Sequence, residues 1–153
     1  MHTLKSITVN RVFVVLLVVG GFAATAEGRS VYAITDRDSN VSAYDISGVT
    51  IEYRASDTDL PHHGSGAVGL ALDPESGILF VTYEDSNAIE MLNAKTMLYE
   101  ENPEAVPGAT SRAGIVFDQA KQKLYVVKRQ DNRVYVHLWD PASKTLTLGD
   151  GTR

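Results

Sequence analysis

Gly69-Leu70-Ala71-Leu72-Asp73-Pro74-Glu75-Ser76-Gly77-Ile78-Leu79-Phe80-Val81 reads as a short buried strand, a turn and a second strand. Both runs are apolar, and Asp-Pro-Glu-Ser-Gly between them has the chemistry of a tight turn. The pattern returns 45 residues later as Gly114-Ile115-Val116-Phe117-Asp118-Gln119-Ala120-Lys121-Gln122-Lys123-Leu124-Tyr125-Val126. Glycine, apolar run, aspartate, polar turn and apolar run recur in the same order. A unit repeated at a fixed interval marks a repeat architecture, in which each unit buries its apolar surface on its neighbour.

Outward from this unit, the chain keeps the same grammar. Residues 67–73, 78–83, 88–92 and 96–99 read as four short strands, and residues 113–118, 123–128, 133–139 and 145–148 as the next four. Upstream, residues 31–35, 41–44 and 49–53 supply three, rich in β-branched and aromatic side chains. Asn40, Asn87 and Asn132 occupy corresponding turns, and Asp45, Asn93 and Asp140 close corresponding third strands. The units run at about 30–63, 64–108 and 109–153. No stretch sustains a 3.6-residue apolar period, so no substantial helix is expected; residues 103–109 read as a loop in preference to a short helix.

The chain has 153 residues, 44% of them apolar and 22% charged, which is the range of an ordinary folded domain. A formal charge of −5 and the lack of any long Lys/Arg run exclude a nucleic-acid footprint. The absence of cysteine excludes disulfides, thiolate metal sites and a cysteine nucleophile.

The N-terminus has the layout of an export signal. Lys5 and Arg11 precede an apolar run over residues 12–22, and Ala24-Thr25-Ala26 offers small residues for cleavage after Ala26. About 11 apolar residues are too few to cross a bilayer, which takes ~20. Residues 1–26 are thus expected to be removed and 27–153 exported, to the periplasm or the extracellular space, with no membrane attachment afterwards. The mature part has 127 residues and a net charge of −7, because the signal carries two bases and no acid.

The repeat resembles the YVTN and NHL group of β-propeller repeats. The likeness rests on Gly69-Leu70-Ala71-Leu72-Asp73-Pro74 with Leu79-Phe80-Val81-Thr82, and on their Gly114 and Tyr125 counterparts. It implies an all-β fold of consecutive four-stranded antiparallel blades. Gly69 and Gly114 would open innermost strands, where backbones approach closely. Asp73 and Asp118 would anchor turns by accepting local N–H bonds. Propellers close with about 4–8 blades of ~45 residues. The mature part supplies about 2.7, and its first unit lacks an innermost strand of its own. The expectation is an incomplete propeller, the N-terminal part of a larger ring. Its exposed blade edges would take the remaining blades, a protein partner or copies of the chain itself.

Few constellations carry chemistry. Gly64-Ser65-Gly66-Ala67-Val68-Gly69 spells a dinucleotide fingerprint but opens a strand, whereas the motif needs a helix N-terminus. Asp36-Arg37-Asp38-Ser39-Asn40 starts like a calcium loop, yet Val41 and Ser47 stand where such a loop needs Gly and Glu. His62-His63 has no third ligand at a metal-binding spacing, so no metal or cofactor is expected. No Gly-x-Ser-x-Gly elbow is present. Asn40-Val41-Ser42 is a glycosylation sequon.

In the blade arrangement, the loop entering a first strand and the loop joining the second to the third share one rim. That rim would gather His62, His63, Asp36, Asp38, Glu84, Asp85, Arg112 and Asp131. With no catalytic motif, the favoured function is a non-catalytic module binding a protein or small ligand there. The alternative is a fragment of a propeller lactonase or hydrolase.

Overall fold

The computed structural model describes residues 17–19, 29–34, 40–47, 50–56, 66–84, 88–100, 112–128 and 132–149. They form three four-stranded antiparallel sheets in chain order. The first holds β1 (Leu17–Val19), β2 (Arg29–Ile34), β3 (Val41–Ser47) and β4 (Thr50–Ser56). The second holds β5 (Ala67–Asp73), β6 (Ile78–Tyr83), β7 (Ile89–Asn93) and β8 (Tyr99–Glu100). The third holds β9 (Arg112–Asp118), β10 (Lys123–Lys128), β11 (Arg133–Asp140) and β12 (Thr145–Leu148). A short 3-10 turn over Gln119–Lys121 is the helical element among the described residues, and no helix there is long and apolar enough to cross a membrane. The expected helix-or-loop stretch 103–109 lies outside the described residues.

The first sheet differs from the sequence expectation. Leu17–Val19 pairs with β2 in register Leu17↔Tyr32, Val18↔Val31, Val19↔Ser30, so the first unit does have an innermost strand. It comes from the apolar run read as an export signal. A β-branched, uncharged run is as good a buried strand as it is a signal core.

Alternation of side chains gives each sheet a forward face, toward the next sheet, and a rear face. The forward face of the first sheet (Tyr32, Ile34, Val41, Ala43) meets the rear face of the second (Leu70, Leu79, Val81, Tyr83, Leu92) in one buried cluster. The forward face of the second (Ala71, Ile78, Phe80, Ile89, Met91) meets the rear face of the third (Ile115, Leu124, Val126, Trp139, Leu146) in another. With both faces covered, β6 is buried along its whole length. This explains its near-continuous apolar sequence. Each fully buried Leu, Ile or Phe stabilises by ~1.5–3 kcal/mol. Leu72, expected in the core with Leu70, Leu79 and Val81, is only partly buried at its edge.

Register fixes the repeat at 45 residues. Ala94 N–H donates to Gly77 O at 2.8 Å, and Trp139 N–H donates to Gln122 O at 2.9 Å, the same bond one unit on. β11 then runs further than β7 before turning, so the turn anchors Asn93 and Asp140 stand 47 apart. Asp45 does not close its strand as expected: β3 continues to Ser47, and Asp45 pairs opposite Glu52.

Candidate functional site

The two ends of the stack have opposite characters. At one end the chain turns tightly and satisfies its own polar groups. Asp73 Oδ1 accepts the Glu75 N–H at 3.1 Å, and Oδ2 accepts the Ser76 hydroxyl at 2.6 Å. Gly77 closes that turn at φ +67°, in the left-handed region that glycine tolerates best. Asn93 Oδ1 accepts the N–H groups of Lys95 and Thr96, and Asp140 accepts from Ala142 N–H and the Ser143 hydroxyl. Asp118 accepts the Lys121 N–H and pairs with its ammonium at 3.1 Å. The aspartates at 73 and 118 are turn anchors, as their sequence context implied.

Asp73 does more than the sequence implied. It is fully buried, and its Oδ2 also accepts the Trp139 indole N–H, 2.9 Å away on the next sheet. Trp139 packs edge-on against Phe80, ring centroids 5.0 Å apart. One carboxylate thus ties its own turn to the neighbouring sheet. Sequence reasoning missed this pair; its signal is the lone tryptophan of the chain, one residue before Asp140. The first and second sheets have a comparable clasp. Tyr32 OH and Arg54 Nη2 both donate to Ala94 O, at 3.0 and 2.7 Å, while Arg54 Nη1 reaches Asp45 at 2.8 Å. On the outer rim Lys144 bonds Glu100 at 2.8 Å and holds its carboxyl below the usual range.

The opposite end carries the connections between second and third strands and between successive sheets. Glu84 N–H, just past β6, donates to Gly66 O, just before β5, at 2.9 Å. Arg112 opens β9 and pairs with Lys128, which ends β10. Ser56, at the end of β4, pairs with Ser42 at the start of β3. The strand termini that flank both loop classes therefore lie together at this end.

Of the residues expected on that rim, Glu84 is exposed there and Arg112 stands at the first position of β9. His62, His63, Asp36, Asp38, Asp85 and Asp131 lie outside the described residues. Among the described residues no group of three His, Cys, Asp or Glu side chains could hold a metal ion. Gly66 takes φ +75° and leads into a strand, so the fingerprint glycines open no helix.

The repeat glycines divide. A methyl group at Gly69 would lie 2.8 Å from Thr82 Oγ1 and 3.1 Å from the backbone N of Ile115 in the next sheet. Close approach is real at that position. At Gly114 the same methyl would meet nothing within 4 Å, which corrects the expectation of crowding there. Gly114 is the equivalent position on the third sheet, whose forward face no described sheet covers.

No protein-family model matches the chain, and no curated protein sequence matches it. Solved structures do. A Bacteroides fragilis protein provisionally assigned as a 6-phosphogluconolactonase superposes with a TM-score of 0.65 at 13% identity, covering 81% of this chain and 35% of its own. A chain of the nidogen/laminin complex gives a TM-score of 0.56 at 15% identity, covering 78% of this chain and 43% of its own. The fold is that of an incomplete β-propeller. Its three sheets are consecutive blades, and the chain spans well under half the length of the propeller-type structures it matches. At these identities the likeness concerns the fold alone, and no model confirms the YVTN or NHL repeat type.

Proposed function

We propose that the chain is an exported, non-catalytic propeller module that binds a protein or small ligand through its loop end. The observation that carries this reading is the Glu84 N–H···O Gly66 bond, which brings a strand-two exit and a strand-one entry to one end while the other end is closed by self-satisfied turns. Loops on a rigid scaffold are where binding residues concentrate. His62, His63, Asp36, Asp38, Glu84, Asp85, Arg112 and Asp131 are the residues proposed to line it. The likeness to the Bacteroides protein motivates the lactonase alternative, which rests on that protein's name and a shared fold.

The test is selection of peptides from a random library against the full chain. A peptide so obtained is expected to lose affinity about tenfold or more with His62→Ala/His63→Ala, and to keep it with Glu75→Ala at the opposite end. The reverse pattern would move the site. Hydrolysis of 6-phosphogluconolactone above the buffer rate would overturn the non-catalytic reading.

A further inference from the structure

Two broad apolar faces of the stack stand open, at opposite ends of the sheet order. The forward face of the third sheet presents Val116, 64% exposed, with Val127, Val134 and Leu138. The rear face of the first sheet presents Ile51, 65% exposed, and Tyr53, 60% exposed, the latter edge-on to Tyr44. Cross-strand pairing places each set on one face. Val127 lies opposite Val134, and Val116 opposite Tyr125. Tyr44 lies opposite Tyr53, and Ile46 opposite Ile51.

The interface inside the molecule shows what such a forward face takes. In the second sheet the position of Val116 is Ala71 and that of Val127 is Thr82, both buried by the rear face of the third sheet. There, an innermost glycine and small side chains receive bulky rear-face residues such as Ile115 and Trp139. The third sheet repeats this relief, with open space over Gly114. The first sheet's rear face carries the complementary bulk, in two tyrosines and an isoleucine.

We infer that two copies of this chain associate head to tail, the rear face of one first sheet seated on the forward face of the other's third sheet. The contact continues the stacking that joins the three sheets within one chain. It is heterologous, since each copy uses two different faces, and a contact of this kind either closes a ring or grows. It buries the sheet faces themselves, and so differs from pairing along strand edges.

Sedimentation equilibrium of the full chain is expected to show a dimer or a larger closed assembly that dissociates on dilution. Val116→Asp places a carboxylate in the contact from one side, and Ile51→Asp does so from the other. Each residue is exposed in the single chain, so circular dichroism and the unfolding transition should match wild type. Each variant alone is expected to weaken association about tenfold or more. Mixed together, they are expected to form a one-to-one pair, because each retains the face the other lacks. A wild-type chain that stays monomeric at all concentrations overturns the inference, as does a blade from another protein taking the third sheet while copies ignore one another. Loss of association with Val116→Asp and none with Ile51→Asp would show a symmetric third-sheet contact and overturn the head-to-tail arrangement. A mixture that remains monomeric would do the same.

Discussion

Gly69 and Gly114 hold the same place in the second and third sheets, and the two surroundings could hardly differ more. Over Gly69 lie Thr82 and the backbone of Ile115; over Gly114 there is open space. Ala71 is 4% exposed, and its counterpart Val116 is 64% exposed. Asp73 receives an indole N–H from the next sheet, whereas Asp118 holds its own Lys121. The same sequence pattern therefore does two jobs. Part of it builds the blade, in both sheets alike. The rest builds a junction, and only where a neighbour arrives does that part contribute to stability.

Substitutions at paired positions test this division. The largest contrast is expected at the glycines. Gly69→Val forces a side chain against the Ile115 backbone and should lower the unfolding free energy by about 2–3 kcal/mol. Gly114→Val should change it by less than about 0.5 kcal/mol, as surface changes do. Equal effects in urea denaturation would break the comparison. The aspartates come next. Asp73→Ala leaves the Trp139 indole and two turn donors without an acceptor, at a cost of about 2–3 kcal/mol. Asp118→Ala loses solvent-facing bonds and should cost less than about 1 kcal/mol. Trp139 fluorescence should shift toward that of a wetter indole in the first variant and stay unchanged in the second. Glu75→Ala, exposed in the turn after Asp73, should fall within about 0.5 kcal/mol of wild type.

The smallest effect is one of pH. The Lys121 side chain, hydrogen-bonded to Asp118, holds that carboxyl below its ordinary 3.8, and the Ser143 hydroxyl does the same at Asp140. A carboxyl with a depressed folded-state pKa contributes stability that is present above 3.8 and lost as pH falls through the folded value. Thermal unfolding followed down through this range should fall slightly less steeply in Asp118→Asn than in wild type. Identical slopes would remove Asp118 from the acid response.

The sheets were legible in the sequence because their cause is local. Alternation, β-branching and Asp-Pro-Glu-Ser-Gly turns each act within a few residues, and the spacing of Gly69 from Gly114 reported the repeat. Interfaces between sheets were less legible. Nothing near Asp73 says that Trp139, sixty-six residues later, bonds to it. Nothing around Arg54 announces its bond to Ala94 O. Gly114 misled for the same reason: a residue's crowding belongs to its neighbour as much as to itself. The shared rim of the two loop classes was readable from topology, since antiparallel strands bring alternate connections to one end. The side chains proposed to bind there carry no packing pattern that would single them out.

The pairing of Leu17–Val19 with β2 sets export and folding in competition for the same residues. A leader must be extended and accessible to the translocation machinery, while β1 is hydrogen-bonded to Arg29–Ile34. A chain that folds first hides its own address. A chain cleaved after Ala26 arrives with a vacant strand position beside β2. Processing and a self-completed first blade are thus mutually exclusive histories of one polypeptide, and the mass of the mature N-terminus records which was taken.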